Sequence, residues 1–517
     1  MVWPRSRPRN RPTNIRGVLI LVFAVVLVGA AGAGLARAAP PTRGAPAAQT
    51  ISFEQALALA QAASESLAAS SATHEAAQAR VQSARSAYLP QIDASASYQR
   101  TIRSEFEDLF GGAGGAAGGL GSLPFAQKNA WRAGLTGRWA LWTGGRTSAS
   151  VRAAKAGAAG AKAQLDSLRA QVVLDTAEAY YEAALAQRLV EISEATLTQA
   201  EEALRSTQVS FSAGKAPEFD VLRAEVARDN QQTLVITTRS QRVVAGARLR
   251  RLIGLRDDIP LVLSSTIDAD DLQLVDRAAQ RRAGIVAGAP RAPIREAVAF
   301  SEARAADLDL ARAEWLPTLA LTSDLGVVNY PAHVWFDRDT DDWRTNFSVM
   351  VVASYPLFTG FRRTADVRAA RALVVASRAR LSETQELSHL ADVEVTEHVT
   401  SAEATLRQTG RTVEQATRAY QLAEIRYQEG VATHLDLIDA RVQLQQSRVN
   451  QARAARDLRL ARIRLALLPA LPVTLPSTFV ITTESGTGAV PAVPRAPTPV
   501  TPGLPQSGAP TPAVPGQ

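Results

Sequence analysis

The 517-residue chain contains no cysteine at all. That excludes disulfides, thiolate nucleophiles and an acylated N-terminal cysteine alike. Histidine is scarce: His74, His333, His389, His398 and His434 form no His-Glu-x-x-His motif and leave no second ligand at metal spacing. No Gly-x-Ser-x-Gly elbow is present. The stretch from Asp337 to Asp342 begins like a calcium loop but lacks glycine at the sixth position and glutamate at the twelfth. It reads as an acidic loop tip. No cofactor, no metal and no enzymatic activity are expected. The formal charge of +8 is also misleading, because six arginines and no acids lie in residues 1–38. Beyond them 51 basic residues face 49 acidic ones, so nucleic-acid binding gains little support.

Those N-terminal arginines do carry information. Arg5, Arg7, Arg9, Arg11 and Arg16 precede an apolar run from Val18 to about Leu35, followed by Ala36-Arg37-Ala38. This is the basic, apolar, small-residue order of a secretory signal peptide, expected over residues 1–38. A membrane anchor is the alternative, since the run is near spanning length. Gly29, Gly32 and Gly34 and the small-residue site favour cleavage.

The chain then repeats itself. Ala140-Leu141-Trp142-Thr143-Gly144-Gly145 returns 216 residues later as Pro356-Leu357-Phe358-Thr359-Gly360-Phe361. At the same offset, Phe211-Ser212-Ala213-Gly214 matches Tyr427-Gln428-Glu429-Gly430, each followed six residues later by an aspartate, Asp220 and Asp436. Tyr88-Leu89-Pro90 matches Trp315-Leu316-Pro317 at an offset of 227. The glycine tract at 111–119, which the second copy lacks, accounts for the difference; it reads as a surface loop between strands. A tandem duplication follows, with each copy half of a pseudo-symmetric protomer.

Each copy alternates two kinds of segment. From Thr147 to about Ser212 there is no proline, and the apolar residues recur at three-and-four spacing. A helix of this length would be about 100 Å long, too long for a compact domain and suited to coiled-coil packing. Further helices are expected over 52–88, 217–253, 292–315, 363–428 and 433–467, with Ser52 and Gln55 forming a capping box. The other segments alternate with period two. Trp131, Leu135, Trp139 and Leu141 share one face of a strand over 129–143, against Arg132, Thr136 and Arg138. Phe347, Val349, Val351, Tyr355 and Leu357 share a face of another over 345–358. With strands over 90–102 and 317–328, these are two-faced segments of the length that crosses an outer membrane. An ordinary antiparallel sheet with one buried face would alternate in the same way. Six of the seven tryptophans fall at 131–142 or 315–343, where an interfacial girdle would place them.

On these motifs the chain resembles the TolC-type outer-membrane efflux channels over about residues 50–470. The specific elements are the duplicated helix–strand–strand–helix order, the Tyr/Trp-Leu-Pro and Leu-Trp/Phe-Thr-Gly motifs flanking the strands, and the Gly-x5-Asp turns at Gly214 and Gly430. The resemblance implies an α+β fold: a homotrimeric outer-membrane β-barrel, four strands per chain, continued by a long periplasmic α-helical barrel. It implies a passive exit duct for efflux or type I secretion, with a periplasmic adaptor and an inner-membrane transporter as partners. Trp131, Leu135, Trp139, Phe347 and Val349 would then face outer-membrane lipid. The tips at Gly214, Asp220, Gly430 and Val431 would meet the adaptor. Asp436 and Asp439 match inward aspartates at the family's periplasmic entrance, and Tyr427 a tyrosine that helps hold it shut; the family's arginine partner falls at Ala432. Read from the residues alone, solvated acids at a helix N-terminus are the lesser alternative for the two aspartates. Residues 254–290 hold Leu261-Val262-Leu263 and then an Arg/Ala/Gly-rich linker, which the family uses in a belt around the tunnel. From Pro469 the chain is a Pro-rich tail expected to be disordered. The competing reading is an exported structural coiled-coil protein without transport.

Overall fold

In the computed structural model, the residues described are 49–102, 129–255, 261–264, 272–285, 288–331 and 343–473. The signal segment, the glycine tract, the 337–342 loop tip and the tail beyond 473 lie outside them. The elements are β1 (Gln49–Ile51), α1 (Phe53–Ala63), α2 (Glu65–Ser86), β2 (Gln91–Arg100), β3 (Asn129–Trp142), α3 (Arg146–Ser212) and α4 (Glu218–Leu252). They continue with β4 (Leu261–Leu263), α5 (Leu272–Ala283), α6 (Ala292–Ala313), β5 (Thr318–Asn329), β6 (Arg344–Ser354), α7 (Arg362–Gln428) and α8 (His434–Leu467). Both α3 and α7 run for 67 residues, about 100 Å at 1.5 Å per residue. Each starts from a left-handed residue, Gly145 with φ 86° and Phe361 with φ 63°. Phenylalanine in that backbone region costs about 1–2 kcal/mol relative to glycine.

The helices form rows. In the half nearer the hairpin tips the order is α4–α3–α8–α7, and towards the sheet it is α2–α3–α6–α7. The largest core lies between these halves, where α1, α3, α4, α5 and α8 meet. Phe53, Leu57, Tyr180, Tyr181, Leu249, Ile463 and Leu467 are all buried there, each worth about 1.5–3 kcal/mol relative to exposure. The Tyr180 hydroxyl donates to the Ile51 carbonyl at 3.3 Å, and β1 pairs in parallel with β4. Elsewhere alanine dominates the buried list, which lets long helices approach closely.

Four differences from the sequence reading have local causes. The helix expected over 52–88 is broken at Ser64, which is extended and accepts a hydrogen bond from the Leu67 amide at 3.2 Å. That serine caps a second helix rather than continuing the first. The expected linker in 254–290 contains strand β4 and the 12-residue helix α5. Strand β6 ends at Ser354, so Tyr355 and Leu357 lie beyond it, next to Pro356, which has no amide to donate. A bulge between Ala140 and Trp142 leaves Leu141 without a register partner and aligns Trp142 with Leu319.

The sheet is antiparallel in the order β2-β3-β5-β6. Its register settles which side chains share a face, because directly paired residues point the same way. Ala94, Leu135, Leu325 and Phe347 form one row, and Asp93, Thr136, Asp324 and Ser348 form the adjacent row on the opposite face. Ile92, Tyr98, Trp131, Trp139, Leu321, Val349 and Val351 join the first face; Gln91, Arg132, Arg138 and Thr322 join the second. Thr136 donates to Asp324 at 3.2 Å on that polar face. Both end strands, β2 and β6, are exposed along their whole length.

Candidate functional site: the helical hairpin tips

The tips form where α3 turns into α4 and α7 into α8. Each turn needs one residue in the left-handed backbone region. Gly214 has φ 71° and Gly430 φ 72°. No atom lies within 4 Å of where either side chain would start, so glycine is required by backbone conformation and not by space. Both turns are Schellman caps. The Lys215 amide donates to the Ser210 carbonyl at 2.9 Å and the Gly214 amide to Phe211 at 2.8 Å. At the other tip Val431 donates to Arg426 at 2.8 Å and Gly430 to Tyr427 at 3.0 Å. Two otherwise orphaned carbonyls at each helix end are thereby satisfied.

The ascending helices start differently. Helix α8 opens on a capping box: the Asp436 amide donates to Thr433 Oγ1 at 3.3 Å, and the Thr433 amide to Asp436 Oδ2 at 2.9 Å. The Thr433 hydroxyl also donates to Asp436 Oδ2 at 2.8 Å. These bonds, the hydroxyl first and the amide second, hold the Asp436 carboxyl below the ordinary carboxylate range. Asp436 and Asp439 are both exposed and, three residues apart, lie on one side of α8. Helix α4 begins after Pro217 with no side-chain cap. Asp220 sits in its first turn, and the Arg223 guanidinium covers the Phe219 ring at 4.9 Å.

Between the tips lies His434, which is buried. Its ring meets that of half-buried Tyr427 with centroids 5.4 Å apart. Neither ring nitrogen has a hydrogen-bond partner. Burial lowers its pKa; Asp220 of the first tip opposes that, while Arg441 and Arg223 reinforce it. The first-tip charges therefore act directly on the second tip. Ala432, where the resemblance would require arginine, instead uses its amide to bond the Arg426 carbonyl at 3.1 Å. Val431 is 68% exposed. Sequence reasoning missed the roles of Thr433 and His434. The Thr-x-x-Asp spacing was a readable signal for the first; the second depends on packing between helices distant in the chain. Among the described residues no three His, Asp or Glu side chains gather as a metal site.

A family model described as "outer membrane efflux protein" matches residues 56–255 and 287–469. The solvent efflux pump outer membrane protein SrpC of Pseudomonas putida is 25% identical over 287 residues, 54% of this chain. The match spans 57% of that relative's length, little more than half. Among solved structures, a membrane protein from Pseudomonas aeruginosa superimposes with a TM-score of 0.65 at 20% identity, covering 83% of this chain and 99% of the other. The outer membrane protein VceC of Vibrio cholerae gives 0.64 at 20% identity, over 80% and 95%. At these identities the structures speak for the fold alone.

Proposed function

Since this chain belongs to the outer membrane efflux protein family, we propose that it is an outer-membrane channel, a passive exit duct served by an inner-membrane transporter and a periplasmic adaptor. Three copies would each give four strands to one twelve-stranded barrel, with the helices extending it as a periplasmic tunnel. The observation that carries this is the sheet. One face is mainly apolar and the other mainly polar, with Met350 and Val352 the chief exceptions on the polar side, and among the described residues both edges, β2 and β6, are open. Four strands cannot close on themselves, and open edges invite pairing with further strands. In this reading Trp131, Leu135, Trp139, Phe347 and Val349 face lipid and the Thr136–Asp324 row faces the lumen. The tips around Gly214, Asp220, Gly430 and Val431 meet the adaptor. Asp436 and Asp439 ring the entrance, with Tyr427 behind them. A wide solvated lumen lined by such rows holds no specific pocket, so the transported class is not written in these residues.

The test is membrane-fraction protein run on unheated gels, which should give a heat-modifiable trimer. Recovery as a monomer in the soluble periplasmic extract would sink the reading in favour of a structural coiled-coil protein. The lipid face has its own check. Leu135→Arg should cost roughly 2–4 kcal/mol near the bilayer midplane, while Thr136→Arg should assemble normally. The reverse outcome means that the polar face meets lipid.

A further inference from the structure

Two grooves border α3 on the side away from the main core, and only one carries an excess of positive charge. The groove nearer the tips runs between α3, α4 and α8 and encloses about 480 Å³. Its charged lining is Glu182 of α3, Arg248 of α4, and Arg453 and Arg456 of α8. Three guanidiniums therefore face one carboxylate. At 3.6 residues per turn, Glu182, Leu185 and Leu189 lie about 140–200° around α3 from Tyr180. The core that Tyr180 forms with Phe53 of α1 and Ala279 of α5 is thus on the opposite side.

The three arginines are not equally engaged. Arg456 Nη1 donates to Glu182 Oε2 at 2.6 Å, and its Nε and Nη2 donate to Asp457 Oδ1 at 2.9 and 2.7 Å. Arg248 and Arg453 are exposed and form no hydrogen bond or ion pair among the described residues. Other arginines on the same three helices are paired: Arg188 with Glu191, Arg239 with Glu194 and Arg464 with Glu178. Between the two unpaired ones the lining is apolar. Leu185 is buried beneath the groove, whereas Leu189 is half-buried and Val244 is 48% exposed. Two unpaired guanidiniums in one groove repel each other, and a single oxyanion between them would satisfy both. The second groove, toward the sheet, shares Arg248 and Arg456 and adds Arg251. It also holds Glu65, Asp175, Glu178 and Glu182, so its four carboxylates oppose an anion. The basic excess is confined to the tip-side stretch.

We propose that the tip-side groove binds an amphipathic anion, with a sulfonate or carboxylate head between Arg248 and Arg453 and an apolar body over Leu189 and Val244. Its volume falls in the range of about 300–1,000 Å³ typical of small-molecule sites, which combine apolar lining with a few placed polar groups. The exposed arginines alone give little affinity, because solvent and salt screen them. The apolar body supplies the rest by covering Leu189 and Val244, so a small inorganic anion should bind far more weakly. The site is built within one chain and stands apart from the trimeric reading. In that reading a tunnel wall needs a face free of added elements, and the groove opens on such a face, where a passing solute meets it.

The test is titration of 8-anilinonaphthalene-1-sulfonate into the full-length protein held in lipid nanodiscs, with the signal of empty nanodiscs subtracted. Fluorescence should saturate at one probe per chain. Arg248→Gln/Arg453→Gln should weaken binding at least tenfold, and Val244→Asn at least threefold. All three side chains are exposed, so their replacement leaves the packing of the helices intact. Arg407→Gln/Arg411→Gln removes the same charge from exposed positions on α7 and should leave binding within twofold of the parent. Sulfate at tenfold excess over the probe should not displace it. The site is overturned by the absence of saturable binding, by an Arg248→Gln/Arg453→Gln protein that binds like the parent, or by equal losses in the two arginine pairs. Displacement by sulfate overturns the amphipathic assignment. None of these results bears on whether the protein is a trimeric channel, which the unheated gel decides.

Discussion

The two hairpin tips reach the same bend by the same means and leave it by different ones. Gly214 and Gly430 share a φ within a degree of each other and the same Schellman bonding. Yet α8 opens on the Thr433–Asp436 capping box, while α4 opens on Pro217 with no side-chain cap. The stop signal of a long helix is a backbone requirement and has one good answer, glycine. The start signal has several, so the two matching tips can differ there. The consequence is an asymmetry of charge. The second tip exposes Asp436 and Asp439 on one side of its helix, whereas the first has half-buried Asp220 with Arg223 where the second aspartate would be.

Breaking that asymmetry should have its largest effect on ion block. Divalent or trivalent cations should block current through reconstituted trimers, and Asp436→Asn/Asp439→Asn should abolish the block while Asp220→Asn leaves it intact. Asparagine is the proper substitute because Asp436 also caps α8, and an amide retains much of that bonding. A double variant that blocks as well as the parent would reduce both residues to solvated helix acids. Next in size are the glycines: Gly214→Ala and Gly430→Ala should each cost about 1–2 kcal/mol. The losses should be similar, as neither site is crowded, and are read from hydrogen exchange at the tip amides. A much larger loss at one tip would show a contact that the backbone geometry does not account for.

The caps should separate the tips by less. Thr433→Ala should loosen the start of α8 by about 1 kcal/mol, whereas Pro217→Ala should loosen α4 by about half of that, through the unfolded chain. The smallest effect is one of pH. His434 binds its proton less tightly in the folded tip than at the ordinary 6.5. As pH falls through about that value the opened tip takes up more protons than the closed one, and the closed state loses stability. Asp436 acts later: its folded value lies below 3.8, so its contribution is present above that value and is lost as pH falls through the folded one. Protection factors at the second tip, taken relative to intrinsic exchange at each pH, should therefore fall below about pH 6.5 and again in acid, while those of the first tip, which has no histidine, change only weakly. His434→Gln should remove the upper step; its persistence would assign that step to another group.

The long helices were legible from what their sequences avoid. Without proline and with helix-compatible residues nearly throughout, Arg146–Ser212 and Arg362–Gln428 read as helix, and the glycine that ends each is visible in the chain. The strand faces were legible too, because period-two alternation is a local property: Leu135 and Thr136 must point apart whatever they pair with. The register is not local. That Leu135 lies between Ala94 and Leu325, or that a bulge displaces Leu141, follows from how four strands were fitted together. The break at Ser64 and helix α5 carried local signals that went unread: Ser64 is a ready N-cap, and the 12-residue α5 is amphipathic. The sequence by itself determined the duplicated order, the helix lengths, the turns and the two-faced strands, all consequences of backbone and side-chain preferences a few residues long. Tertiary packing alone placed buried His434 beside Tyr427 under the charge of Asp220 and set Thr136 against Asp324 across the sheet. Those relations depend on packing between elements about two hundred residues apart, which no local preference encodes.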